Sequence, residues 1–123
     1  MHSLGVDIIE IDRIKKVVAR WGRCFLRRIY TEAELHLSRN KPSRLASRFA
    51  AKEAVMKALG TGVRGVGWRE IEILADRRGK PLVYLSGKAR NRAEELGLSE
   101  IAVSLSDSRE YAVAFVVGVT KNN

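Results

Sequence analysis

Two acidic residues and one lysine are the side chains of this sequence whose types and spacing favour metal and phosphate chemistry. Glu53 and Lys57 are four residues apart in the helix-like segment 48–62, so they would lie one turn apart on one helix face. Asp7 stands alone in the apolar stretch Leu4–Ile11, where a buried carboxylate is costly unless it is paired or binds a metal. Mg²⁺ takes one or two protein carboxylates and completes its shell with water and substrate phosphates. Asp7 and Glu53 therefore form a candidate magnesium site.

Structural roles explain the same residues without a ligand. A Glu53–Lys57 pair stabilises a helix by about 0.2–0.5 kcal/mol, and Asp7 at a strand end could cap a neighbouring helix. The turn Gly60-Thr61-Gly62 is not a Walker loop, because it lacks Gly-Lys-Ser/Thr and follows the helix instead of preceding it. Its backbone N–H groups could still form an anion-binding nest. The residues alone leave both interpretations open.

Two further cations, Arg48 and Lys52, fall in the apolar arc of the same helix, beside residues such as Phe49 and Met56. This placement is unusual for a helix whose charged side chains are solvated. Either the two side chains extend past the apolar surface to reach water, or this face contacts another surface that carries anions.

Hydrophobic periodicity and turn residues predict the elements that must position these side chains. A helix follows an N-cap at Asp12, and a short one starts at the capping box Thr31–Glu34. The other predicted elements are a strand at Leu4–Ile11, a long helix at Ser43–Leu59 stopped by Gly60, a hairpin of Glu70–Ala75 and Pro81–Leu85, a helix from Ser86 or Gly87 to Gly97, and strands at Ile101–Ser106 and Tyr111–Val119. The segments 60–62 and 65–67 read as a loop and Lys121–Asn123 as a frayed tail. This order predicts one α+β domain over residues 1–123 with an antiparallel sheet.

The charge distribution points to an anionic partner. The chain has 23 Lys and Arg against 14 Asp and Glu, a net charge of +9. Residues 13–28 carry seven cations and no acid: Arg13, Lys15, Lys16, Arg20, Arg23, Arg27 and Arg28. Five of them share one helix face if the helix continues through Gly22, and they form two shorter patches if it breaks there. Such a cluster attracts polyanions or an acidic protein, although a merely solvated face is the plainer interpretation.

Several function classes find little support. No apolar run approaches the roughly 18–20 residues that span a bilayer, and no secretory signal is visible. Cys24 is the only cysteine, which excludes an intrachain disulfide and agrees with a cytoplasmic protein. A nucleic-acid-binding module would explain the charge. However, the chain shows no RNA-recognition-motif signature and no zinc-ligand spacing, and this alternative leaves Asp7 and Glu53 unexplained.

Four motifs occur in order along almost the whole chain: Gly5-x-Asp7-Ile8, the central RFAAKEAxxKAxGTG at 48–62, Gly79-Lys80-Pro81, and Ser104-Leu105-Ser106 followed by Tyr-Ala-Val-Ala at 111–114. Together they closely resemble the holo-acyl-carrier-protein synthases, small bacterial phosphopantetheinyl transferases. The resemblance implies transfer of 4′-phosphopantetheine from coenzyme A to a serine of apo acyl carrier protein, with release of adenosine 3′,5′-bisphosphate. The chain departs from many members at Asp107, where they have histidine, so a role of that imidazole cannot be carried over.

The resemblance also implies roles for individual residues. Asp7 and Glu53 would bind Mg²⁺, and Lys57 would neutralise phosphate charge near Gly60 and Thr61. Arg48 and Lys52 would assist with the ligand's phosphates or at a subunit boundary. The family is typically a homotrimer with coenzyme A between subunits, and the basic helix would dock the acidic carrier protein through Arg13, Arg20, Arg23 and Arg27. No side-chain base is evident, so a metal-bound water is the preferred hypothesis for the proton acceptor.

Overall fold

The computed structural model describes residues 2–120, so the predicted tail Lys121–Asn123 lies outside the described residues. The helices are α1 (Ile11–Trp21), α2 (Arg23–Ile29), α3 (Glu32–Ser38), α4 (Pro42–Leu59), α5 (Gly62–Gly65) and α6 (Gly87–Glu95), with a 3₁₀ turn at Trp68–Glu70. The strands are β1 (His2–Glu10), β2 (Ile71–Ala75), β3 (Pro81–Leu85), β4 (Leu98–Asp107) and β5 (Tyr111–Thr120).

The strands form two antiparallel sheets. The larger one has the order β1-β5-β4, and the hairpin of β2 and β3 forms the smaller one. Helix α4 packs across β1 and β5, so the predicted α+β fold with a long central helix on an antiparallel sheet is confirmed.

Small residues let α4 lie close to the sheet. Ala46, Ala50, Ala51 and Ala54 are all fully buried. The helix begins with a proline in its first turn and ends at Gly60, whose φ of 70° gives the left-handed conformation predicted for it. The capping box of Thr31 and Glu34 is also confirmed.

Gly5 is the point of closest approach between β1 and α4. A Cβ atom built there would lie 1.9 Å from the carbonyl oxygen of Ala54 and 3.1 Å from the amide nitrogen of Ala58. Both are backbone atoms, so neither can rotate away. Because Asp7 is two residues further along the same face of β1, the missing side chain at Gly5 sets how near Asp7 comes to the helix.

We therefore expect Gly5→Ala to lower the free energy of unfolding by about 1–3 kcal/mol or more, the usual range for overpacking. Gly67→Ala is the matched control, because a Cβ there meets nothing closer than 3.4 Å and its φ of −81° suits any residue. Urea titrations measure the free energy of unfolding of the two variants and the parent. Equal transition midpoints would show that β1 and α4 do not need this close approach.

Two local predictions are wrong, at Asp12 and after Gly60, and the path of the chain through Gly22, which the sequence left open, is decided. Glu10, not Asp12, occupies the N-cap of α1, while Asp12 lies in the first turn and pairs with Lys16 at 2.9 Å. The helix breaks at Gly22, whose φ is 54°, so α1 and α2 are separate. The segment expected to be a loop after Gly60 contains α5 and the 3₁₀ turn.

The face of the larger sheet that points away from α4 is apolar and uncovered. Leu4, Val6 and Ile8 of β1 are each more than half exposed, and Phe115 of β5 is 46% exposed. In the register of the sheet, Val6 pairs with Phe115, which pairs with Ser104 of β4. None of the helices within residues 2–120 has the length and apolar content needed to cross a membrane.

Candidate active site

The carboxylates predicted to bind metal come together between β1 and α4. Side chains alternate along β1, so Gly5, Asp7 and Ile9 face the helix while Val6 and Ile8 face away. Asp7 thereby reaches the side of α4 that carries Glu53 and Lys57. The strand places one carboxylate and the helix places the other.

Lys57 bonds directly to the strand. Its ammonium lies 3.0 Å from Oδ1 of Asp7 and donates to the carbonyl of Val6, also at 3.0 Å. The Asp7 side chain is 14% exposed, whereas that of Lys57 is 56% exposed. Since an ammonium has three donors, one N–H of Lys57 remains for a phosphate oxygen.

Glu53 is partly buried next to the carboxylate of Asp7. Partial burial, followed by the charge of Asp7 and a hydrogen bond between the two carboxyl groups, raises the pKa of Glu53 to about 7. Lys57 and Arg13 act in the opposite direction and only partly offset this effect. Two adjacent carboxyl groups, one of them partly desolvated and opposed by the charge of the other, suit a divalent cation.

The donor set fits Mg²⁺ better than a metal held wholly by protein. Within residues 2–120, no group of three or more His, Cys, Asp or Glu side chains could hold a metal ion. Asp7 and Glu53 would supply two oxygen ligands, leaving the remaining positions for water and substrate phosphates.

The raised pKa of Glu53 predicts how the stability of the metal-free protein depends on pH. The folded state binds this proton more tightly than the unfolded state, whose carboxyl titrates near pH 4.3. The stabilisation is therefore fully present below that pH and is lost as the pH rises through about 7. Without metal, Glu53→Gln should unfold at a higher temperature than the parent at pH 8, and the two should converge near pH 4. Glu100→Gln, at an exposed strand position, should keep the parent's profile. If the unfolding temperatures of Glu53→Gln and the parent change with pH in parallel, the raised pKa of Glu53 is contradicted.

The prediction that Lys52 contacts a ligand phosphate or a subunit boundary is wrong. Its ammonium lies 2.7 Å from Oε1 of Glu34, and both side chains are 0% exposed. It also donates to the carbonyls of Trp68, at 3.0 Å, and of Ile71. All three donors are thus used inside the protomer. Burial lowers the pKa of Lys52, and the charge of Glu34 opposes that shift.

Glu34 is a buried residue whose full role the sequence reasoning missed. Its carboxylate accepts from the backbone of Thr31 as predicted, and also from Lys52 and from the backbone of Ile73 at 2.8 Å. The position of Lys52 in an apolar arc was the available signal, because a buried cation requires a buried anion. The pair ties α3 and the β2 strand to α4.

Arg48 lies at a different place from the carboxylates. Its Nε donates to the carbonyl of Ile73 at 3.2 Å, and burial lowers its pKa. It lines a cleft of about 520 Å³ together with Arg44, Arg77 and Asp107. Arg44 and Arg77 were not singled out from the sequence. Since Arg48 precedes Glu53 by five residues, the two side chains project about 140° apart around α4.

Gly60 and Thr61 end the helix. The N–H of Gly60 donates to the carbonyl of Lys57 and that of Thr61 to the carbonyl of Met56, each at 3.1 Å. Both N–H groups are therefore already used, and the prediction that they bind an anion is wrong. A contact between the ligand and their other atoms stays a prediction.

The four arginines predicted to dock a carrier protein divide between two helices. Arg13 and Arg20 lie on α1 and Arg23 and Arg27 on α2, all exposed. Because the helix breaks at Gly22, the cations form two shorter basic patches, which is the second of the two arrangements expected from the sequence. Arg13 is close enough to Glu53 to lower its pKa, so the start of α1 borders the carboxylates.

Comparisons with known proteins show which family the chain belongs to. A model of the 4′-phosphopantetheinyl transferase superfamily matches residues 3–116. The chain is 53% identical to the holo-[acyl-carrier-protein] synthase of Herpetosiphon aurantiacus, covering 97% of this chain and 99% of that protein. It is 48% identical to the enzyme of that name from Gloeobacter violaceus, covering 94% and 91%.

Solved structures give the same result. The Helicobacter pylori holo-[acyl-carrier-protein] synthase in complex with coenzyme A superposes with a TM-score of 0.87 at 32% identity, covering 94% of this chain and 99% of that one. The Neisseria meningitidis enzyme also gives 0.87, at 40% identity, covering 96% and 98%. The chain belongs to the 4′-phosphopantetheinyl transferase superfamily. Within that superfamily it belongs with the holo-[acyl-carrier-protein] synthases and is an enzyme.

Proposed function

We propose that this enzyme transfers the 4′-phosphopantetheine group of coenzyme A to a serine hydroxyl of apo acyl carrier protein. The reaction depends on Mg²⁺, releases adenosine 3′,5′-bisphosphate and serves fatty acid biosynthesis in the cytoplasm. The observation that carries the proposal is the pair of carboxylates, Asp7 and Glu53, beside the partly exposed ammonium of Lys57. The coenzyme A complex of the Helicobacter pylori relative supports the choice of donor substrate.

The side chains divide the chemistry between them. Phosphoryl transfer requires alignment and charge neutralisation more than covalent help from the protein. Asp7 and Glu53 would hold Mg²⁺, which when bound neutralises charge on the transferring phosphoryl group. Lys57 anchors Asp7 and offers its remaining N–H to a phosphate oxygen.

The cleft around Arg48 suits the other end of the substrate. Arg44, Arg48 and Arg77 surround a volume of about 520 Å³ that can receive a further phosphate. Because Arg48 and Glu53 project from different sides of α4, a single coenzyme A molecule would bridge the cleft of one subunit and the carboxylates of the next. This geometry favours active sites between subunits.

The uncovered sheet face supports a homotrimer. Leu4, Val6, Ile8 and Phe115 form a contiguous apolar surface across β1 and β5, and such surfaces mark protein–protein contacts. A subunit boundary was expected at Arg48 and Lys52, but those side chains are buried within the protomer. We propose that the subunits contact each other through the apolar sheet face instead.

We expect Arg20→Glu combined with Arg27→Glu to raise the KM for the carrier protein about tenfold and to weaken its dependence on salt, since exposed interface charges mainly accelerate association. Steady-state kinetics between low and physiological salt measure both quantities. Arg78→Glu, at the tip of the β2–β3 hairpin, makes the same Arg-to-Glu substitution once, elsewhere on the surface, and changes the charge by two where the double variant changes it by four. If the double variant and this control share one KM for the carrier, the basic helices do not dock it.

The reaction is tested by following both products. The purified protein is incubated with coenzyme A, Mg²⁺ and an apo acyl carrier protein, and the carrier's mass gain is compared with the amount of adenosine 3′,5′-bisphosphate released. We expect one mole of adenosine 3′,5′-bisphosphate for each mole of modified carrier. A carrier that stays unmodified, while a known phosphopantetheinyl transferase modifies the same preparation, would refute it.

A further inference from the structure

A second basic cleft lies outside the site described above. It is lined by one cation from each of four elements: Arg28 in the last turn of α2, Arg64 in α5, Arg69 in the 3₁₀ turn and Lys88 in the first turn of α6. Its volume is about 500 Å³. We call it the Arg64 cleft. Neither metal binding nor the Arg48 cleft involves these residues.

The charge of the Arg64 cleft is not neutralised within the protomer. Among residues 2–120, none of its four cations forms a salt bridge. Glu70 is the one carboxylate in its lining, and its oxygens accept from the backbone N–H groups of Gly67 at 2.7 Å and Lys88 at 2.9 Å. Four cations and one carboxylate leave the lining at +3, a potential that attracts an anion.

The cleft is continuous with the basic helices. Arg28 also lines the neighbouring apolar groove formed by Val17, Trp21, Cys24 and Phe25, so the two depressions share a wall. At the other end of this surface, Arg13 borders the carboxylates. At about 1.5 Å of rise per residue, α1 and α2 together extend no more than about 27 Å, which is the width of one small domain.

We propose that the Arg64 cleft binds an acidic segment of the carrier protein while the carrier's serine lies at the Asp7–Glu53 site. This inference rests on the proposed function. Charge complementarity selects an acidic partner, and continuity with α1 and α2 selects the carrier protein, which is proposed to dock on those helices. The cleft then adds a second, electrostatic contact that orients the carrier on the enzyme.

The test uses the full chain with Arg64→Glu and Lys88→Ala, singly and combined. Both side chains are exposed, and their thermal transitions should match the parent's. We expect the combined variant to raise the KM for the carrier about fivefold or more and to flatten its salt dependence, leaving kcat and the KM for coenzyme A unchanged. Arg78→Glu serves as the control, because β2 separates the hairpin tip from the cleft by five residues, about 17 Å.

Each other outcome overturns the inference. An unchanged KM for the carrier means that the cleft does not contact it. A raised KM for coenzyme A means that the cleft binds the nucleotide substrate instead. If the parent protein itself transfers nothing, the proposed function fails. If the parent transfers normally and the variant has the same KM for the carrier, only the inference about the cleft is refuted, and the proposed function stands.

Discussion

Asp7→Asn and Glu53→Gln should each lower the rate of phosphopantetheine transfer by more than about 100-fold. The reason is that each replacement turns a charged carboxylate ligand into a neutral amide, which binds a divalent cation more weakly, while charge stabilisation by a metal contributes several kcal/mol and each 1.4 kcal/mol is a factor of ten in rate. Neither change removes packing, since each preserves side-chain volume. Initial rates of carrier modification at saturating coenzyme A and Mg²⁺ measure the effect.

Asp12→Asn provides the matched control for this experiment. Asp12 is an exposed carboxylate of α1, paired with Lys16 at 2.9 Å, and close in sequence to Asp7. It should transfer at the parent rate. Circular dichroism of all three variants should show the parent's helix content, which separates lost chemistry from lost folding. Normal transfer by Asp7→Asn would reject the metal assignment.

Val6→Lys or Phe115→Lys should dissociate the proposed homotrimer. Each places a charge on the apolar sheet face, where burying an unpaired ammonium costs several kcal/mol. The dissociation constant should therefore rise by about 100-fold or more. Sedimentation velocity at micromolar protein measures the assembly, and transfer activity should fall with it because the proposed active sites lie between subunits.

Val63→Lys is the control for the sheet face. Val63 and Val6 are both 52% exposed, but Val63 belongs to α5 and lies away from the larger sheet. The same substitution there should leave the assembly intact. Trimers that persist in Val6→Lys would show that the subunits associate through another surface.

The sequence predicted the secondary structure well where local signals are strong. The capping box at Thr31 and Glu34 and the left-handed Gly60 are both decided within a few residues, so short-range rules sufficed. The loop after Gly60 was misread because α5 is one turn long and carries two glycines, a composition that local propensity assigns to loops.

Long-range pairing set the limit of the sequence reasoning. No local signal shows which anion neutralises Lys52, because Glu34 is 18 residues away and its carboxylate also fits a capping box. The separation of Arg48 from Glu53 follows from helix geometry, because five residues turn the side chain by about 140° around the helix axis. The uncovered sheet face was missed because it depends on which side of β1 meets α4, and the contact of Gly5 with Ala54 decides that.

The candidate metal site could be predicted because an acidic residue in an apolar strand requires a compensating partner. Resemblance then supplied the substrate. Neither the residue pattern nor the resemblance predicts the raised pKa of Glu53. That shift depends on burial and on the positions of Asp7, Lys57 and Arg13 in the folded chain.

The most direct test of the central claim is the intact mass of apo acyl carrier protein after incubation with coenzyme A and this enzyme, in parallel with Mg²⁺ and with a chelator. We expect one phosphopantetheine adduct per carrier with Mg²⁺ and an unmodified carrier with the chelator. An adduct that forms equally in the chelated reaction, or no adduct in either, would contradict it.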